Sequence, residues 1–189
     1  MMKELVLKNR SYRRFYQSEN ISRELVKELV DFARLSASAA NMQPLKFILS
    51  SDASKNALIF PHLVWAAYLK DWPGPAEGER PAAYIIILGD KRIKESFGCD
   101  YGIAAQSILL GATERGLGGC MIMSIQREAL SKALTIPDHL EILLVIALGK
   151  PKETVVIDAV DPTGNIKYWR DAEGIHHVPK RSLDELIVG

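Results

Sequence analysis

Ser36-Ala37-Ser38-Ala39-Ala40-Asn41-Met42-Gln43-Pro44 stands between an amphipathic stretch and a β-like run, Leu45–Ser51. It carries two hydroxyls and two carboxamides, spaced by alanines and one methionine. A carboxamide donates and accepts at once, which suits a flat heterocycle with mixed polar edges. Alanines let such a ring approach the backbone closely. Pro44 forbids helix continuation and biases Gln43 toward an extended conformation. An ordinary polar helix-to-strand loop has the same composition, so this stretch alone leaves both readings open.

Working outward, Ile21, Leu25 and Leu29 recur every fourth residue, with Val26, Val30 and Ala33 alongside. This spacing predicts a helix capped by Ser22, with Glu24 in its first turn and an end near Leu35. Before it lies Asn9-Arg10-Ser11-Tyr12-Arg13-Arg14-Phe15, with three arginines and a hydroxyl within five residues. Guanidinium forks match phosphate oxygens, and each charge-assisted bond is worth about 1.5–3 kcal/mol. A solvated basic turn is the plainer alternative.

Together the two stretches resemble the nitroreductase family of FMN-dependent oxidoreductases. That family's pattern reads Arg-Arg-Ser-x-Arg-x-Phe, then Ala-Pro-Ser-x-x-Asn-x-Gln-Pro-Trp. Arg10, Ser11, Arg13 and Phe15 fit the first part, and Ser38, Asn41, Gln43 and Pro44 fit the second. Asn9, Ala37 and Leu45 depart from it, in place of arginine, proline and tryptophan. The fold implied is α+β, with a mainly antiparallel central sheet flanked by helices and a dimer with helices at its interface. Alternation of strands and helices by itself suggests a parallel α/β sheet instead.

Downstream, residues 52–70 look helical, with Asp52 as a cap. Asp71–Pro81 holds three prolines and two glycines in eleven residues and reads as a loop or lid. Trp65, Tyr68 and Trp72 border it, either anchoring it to the core or lining an opening. Ala82–Gly89 and Glu141–Leu148 read as strands covered on both faces. Asp100–Gly116 reads as a helix rich in small residues, packed in the core or at a dimer centre. Gly116–Ser124 follows a helix and precedes a strand, the wrong order for a dinucleotide fingerprint; Gly116 or Gly118 suits the helix end. In the resembled family the matching segment runs beneath the flavin and presents a backbone N–H to N5. Met121 then stands for a tryptophan, and Met123 and Ser124 for two glycines. Arg127–Leu134 reads as a short helix. Ile166–Arg170 and Ile175–Val178 suit a hairpin, and Leu183–Leu186 a short helix. One domain spans residues 1–189, with 150–189 as a C-terminal extension or arm.

The resemblance implies that Arg10, Ser11, Arg13, Lys180 and Arg181 hold phosphate and ribityl oxygens. Asn41 and Gln43 address polar ring or ribityl atoms with Ser38 nearby, and some of these residues come from a second subunit. Met123 and Ser124 belong to the floor. NADH or NADPH supplies electrons through flavin N5 to a nitroaromatic or quinone-like acceptor in a ping-pong scheme, and no catalytic side chain is required. A flavin-binding protein for sensing or storage is the alternative, motivated by the altered floor. A hydrolase or metal protein built on His176, His177, Asp158 or Asp161 is a third reading. Adjacent strand residues face opposite ways, which argues against a shared ion, and no metal site is expected.

With a net charge of +1, the 189-residue chain gives no general attraction to nucleic acid or membrane. Two cysteines make no disulfide framework. The longest apolar run, Ile142–Leu148, is too short to span a bilayer, and no leader pattern begins the chain. Cytoplasmic placement is the default expectation.

Overall fold

The computed structural model describes residues 1–189. Its central sheet consists of β1 (Leu45–Ser50), β2 (Ala83–Asp90), β3 (Gly118–Ile122) and β4 (Leu140–Gly149). Their order is β1-β2-β4-β3, and every neighbouring pair is antiparallel. The parallel sheet suggested by alternation is therefore not formed, and the α+β expectation holds. Helical periodicity reports which face of a segment is apolar. It does not report the direction in which the next strand returns. The connections before β2 and β4 each contain a helix, yet both strands come back antiparallel.

Helices α1 (Met2–Lys8), α2 (Arg23–Leu35), α3 (Ala53–Ile59), α4 (Asp100–Glu114), α5 (Arg127–Ala133) and α6 (Leu183–Leu186) complete the helical set. Ser22 caps α2 as its sequence predicts, accepting from the Leu25 N–H at 3.1 Å. Along β2, Ile85 and Ile87 pack with α2 and α4, together with Leu144, Ile146 and Leu148 of β4. Tyr84, Ile86 and Leu88 belong to the opposite core, with Ile142, Val145 and Ala147, Ile59 of α3 and Leu130 of α5. The register shifts between Ile87 and Leu88, which pair with Leu144 and Ile142, so Leu143 is the extra residue. Burial on both faces explains why these strands are unbroken apolar runs. Each fully buried aliphatic side chain contributes about 1.5–3 kcal/mol. No helix is long and apolar enough to cross a membrane.

The small residues of α4 answer to packing within the chain. A Cβ on Gly111 would stand 2.7 Å from the Phe32 ring of α2. Gly116, at φ 71°, turns the chain out of α4 into β3. Gly119 is similarly constrained, since a Cβ there would lie 2.6 Å from the Ala147 carbonyl oxygen. Its own carbonyl accepts from the Tyr12 N–H at 3.0 Å, tying the arginine stretch to the sheet. Gly119→Ala is expected to cost about 1–3 kcal/mol through overpacking against backbone that cannot move aside. Chemical denaturation of the variant beside wild type measures it.

Residues 52–70 do not form one helix. α3 ends at Ile59, a 3-10 turn covers Phe60–His62, and Leu63 bridges to Ile125. Pro61 cannot continue an α-helical ladder, and burial of Leu63 and Trp65 draws the segment into the second core. Residues 71–81 are irregular, as their composition predicts. Trp65 anchors this loop, for it is 6% exposed and packs under Gly74. Trp72 lies under the Arg170 guanidinium at 4.8 Å.

Beyond β4, a second sheet contains β5 (Val155–Ala159), β6 (Trp169–Arg170) and β7 (His176–Lys180), in the order β5-β7-β6. Only Trp169 and Arg170 realise the predicted hairpin, pairing antiparallel with His177 and His176. The longer partner of β7 is β5, which runs parallel to it. Val155, Val156 and Ile157 supply the β-branched run that carries this pairing. His177 locks the sheet, with Nδ1 2.8 Å from Asp158 and Nε2 3.1 Å from Asp171. Those carboxylates, Asp171 foremost, hold its pKa above the usual imidazole range. Trp169 stacks on its ring at 4.1 Å.

Candidate functional site

A short parallel bridge between Ser11 and Gly119 lays the arginine stretch along the edge of the central sheet. A hollow of about 350 Å³ opens there, lined by Arg10, Ser11, Arg13, Gln106, Tyr168, His176 and Lys180 among others. The two ends of the chain thus converge. No carboxylate lines this hollow. A smaller hollow of about 180 Å³ shares Arg13, Met121 and Tyr168 with it and continues along β3 to Met123 and Ser124. The N–H groups of Met123 and Ser124, just past β3, make no backbone hydrogen bond within the chain.

The three arginines of the stretch have different fates. Arg14 grips Glu79 with two bonds of 2.6 Å, and Lys152 joins from 3.0 Å. Arg10 donates to the Val6 carbonyl at 2.7 Å, while its Nε is buried without a partner. Arg13 donates its backbone N–H to Glu153, but its guanidinium has no carboxylate. It meets only the Ser11 carbonyl and His176 Nε2, both at 3.2 Å, and the Tyr168 ring at 4.8 Å. The Glu153 carboxylate is occupied by the N–H groups of Arg13 and Arg14 and by Arg170.

The Arg14–Glu79 pair fastens the 71–81 loop beside the hollow. Hydrogen bonds from Arg14 pull the Glu79 carboxyl down to about 2 from its ordinary 4.5. A depressed folded-state pKa stabilises the fold above about pH 4.5, and that contribution is lost as pH falls toward 2. Glu79→Gln is expected to flatten the pH dependence of Tm across that window, which melting curves at stepped pH measure.

The 36–44 loop is organised by a residue that sequence reasoning missed. Asp100, 3% exposed at the start of α4, accepts from the Ser38 hydroxyl at 2.7 Å and the Ala39 N–H at 3.1 Å. The Ser38 oxygen in turn accepts from the Gln43 N–H at 3.0 Å. These bonds wind the loop tightly. Ala40, Asn41 and Gln43 take φ of 49°, 53° and 51°, the left-handed region. Gln43 is therefore not extended, because the Ser38–Gln43 bond overrides the bias from Pro44. Its side-chain amide donates to the Asn41 carbonyl at 3.1 Å.

Ser38 and Gln43 line a separate hollow of about 230 Å³, with Ser36, Ala37 and Asp100. None of the principal hollows of a single chain contains residues of both the arginine stretch and the 36–44 loop. Lys180 joins the arginine hollow. Arg181 does not, and lies 3.5 Å from Glu185 of α6. Tyr168, His176 and Gln106 were not foreseen as lining residues. Adjacency to the Lys180 motif is a signal for His176 alone.

Fold and site together define an α+β protein that holds uncompensated positive charge against the end of an antiparallel sheet. A model of the Nitroreductase family matches residues 6–150, and the chain belongs to that family. A Methanothermobacter thermautotrophicus protein, provisionally assigned as an NADH dehydrogenase/NAD(P)H nitroreductase, is 29% identical over 154 residues, covering 78% of this chain and 76% of its own. A nitroreductase family protein from Clostridium novyi NT superposes with a TM-score of 0.68 at 24% identity, covering 100% of this chain and 99% of that one. The NADPH:FMN oxidoreductase of Vibrio harveyi, solved with NAD+, gives a TM-score of 0.62 at 22% identity, covering 80% and 69%.

Proposed function

We propose that this protein is an FMN-dependent oxidoreductase that takes electrons from NADH or NADPH and passes them to an electron-poor acceptor, a nitroaromatic or a quinone. Donor and acceptor use the same face in turn, a ping-pong scheme. The observation that carries this reading is the carboxylate-free hollow in which Arg10, Ser11, Arg13 and Lys180 converge. A phosphate dianion needs clustered donors that no acid has already neutralised, and this set fits it. The family and the Vibrio harveyi relative support the same cofactor.

Bound FMN supplies hydride exchange at N5. The chain supplies the rest. Arg10, Ser11 and Lys180 hold the phosphate end. Arg13, shared by both hollows, would hold phosphate and ribityl oxygens with them, and the Met123 and Ser124 N–H groups would be donors at the floor. Asn41, Gln43 and Ser38 belong to the same reading only through a second copy, whose 36–44 loop must reach the first chain's arginine hollow. Leu35, just before that loop, and Met42, within it, are 66% and 41% exposed and suit an interface between copies. Arg181 joins the phosphate end only by leaving Glu185.

The test is an anaerobic titration of FMN-loaded protein with NADH and NADPH, followed by addition of a quinone. Bleaching of the flavin followed by its recovery is expected. Flavin that binds but stays oxidised with both donors would instead indicate a binding protein without turnover. Sedimentation measures the predicted dimer.

A further inference from the structure

The arginine stretch lies in the family-matched region, but two of its closest companions do not. His176 opens β7 of the C-terminal sheet and Tyr168 immediately precedes β6, both past residue 150. His176 is fully buried, and its ring is 5.2 Å from that of Tyr168. The Tyr68 ring also meets Tyr168, tilted at 54° with centroids 4.9 Å apart, and the Tyr68 N–H donates to the Tyr168 oxygen at 3.3 Å. The Arg13 guanidinium sits over Tyr168 and within hydrogen-bond reach of His176 Nε2.

We propose that Tyr168 and His176 are positioning residues that aim Arg13 into the cofactor hollow without neutralising it. This rests on the FMN reading above. An arginine donates only, so the contact makes Nε2 the acceptor and puts the imidazole proton on Nδ1, which is buried without a partner. Burial first, then the Arg13 and Arg170 charges, push His176 down to about 4, so the ring is neutral near pH 7. A neutral acceptor and an aromatic face fix the direction of a guanidinium and leave its charge for an anion. The neighbouring arginines show the contrast, for Arg14 and Arg170 are held by carboxylates that cancel them.

The experiment is FMN titration of apo-protein, read by flavin fluorescence, across a double-mutant cycle. His176→Leu and Tyr168→Ala are each expected to weaken FMN binding about tenfold, by leaving Arg13 free to reorient. His176→Gln keeps an acceptor oxygen and is expected to bind within about threefold of wild type. Tyr168→Phe keeps the stack and is expected to do the same. In an Arg13→Met background, His176→Leu should have no further effect, which a merely structural role would not produce. Wild-type binding with His176→Leu and Tyr168→Ala unchanged would overturn the positioning role alone. So would an equal loss from His176→Leu with and without Arg13. Wild-type apo-protein that does not take up FMN would overturn the cofactor reading and this inference with it.

Discussion

Arg13→Met is expected to weaken FMN binding by about 10- to 100-fold, the loss of one charge-assisted contact worth about 1.5–3 kcal/mol. Methionine keeps an unbranched apolar stem, so packing on Tyr168 is largely spared. The size of the effect follows from what Arg13 lacks. It is the arginine of its stretch whose charge faces both hollows and meets no acid. Arg14→Met removes a neighbouring cation of the same type, yet its charge is already committed to Glu79. It is expected to lower Tm while leaving FMN affinity within about threefold. Fluorescence titration of the two apo-variants, with melting curves for both, separates the roles. Equal affinity losses would show that the basic cluster acts only as diffuse charge.

Glu153→Ala is expected to give the largest loss of stability, about 3–5 kcal/mol, or a fall in Tm on the order of 10 °C. The Glu153 side chain is 1% exposed. One oxygen accepts from the Arg13 and Arg14 N–H groups, and the other from Arg170 at 3.0 Å. Truncation leaves two backbone donors and a guanidinium without an acceptor in a site that water reaches poorly. It also unties the arginine stretch from β6, because this carboxylate joins them. Glu153→Gln keeps one acceptor oxygen and should lose less. Thermal and denaturant unfolding of both variants measure the difference, and a loss below about 1 kcal/mol for alanine would contradict the role.

Part of the arginine hollow's lining is legible in the sequence because those side chains carry their chemistry openly. Arg10, Ser11, Arg13 and Lys180 were named from charge and motif, and the fold brings them into one hollow. Arg181 was named on the same grounds, but its partner is one helical turn away in Glu185. Asp100 and Glu153 were not legible. An acid in a first helical turn or after a proline looks like any surface acid until the fold buries it and supplies its donors. Gln43 shows the limit of local rules. A following proline disfavours some backbone angles by a modest amount, and one hydrogen bond to Ser38 outweighs it.

By itself the sequence determined the apolar cores, since unbroken runs at Ala82–Gly89 and Ile142–Leu148 can be satisfied only by burial on both faces. It also determined the Ser22 cap and the cation-rich stretch, because those properties are local. Only the tertiary structure decided strand direction, the parallel pairing of β5 with β7, and which arginine keeps its charge. Each of those depends on where a distant segment comes to rest. Hydrogen bonds form only near about 3 Å, so contacts between residues 140 positions apart, such as the Arg13 N–H on Glu153, exist only once the chain has closed.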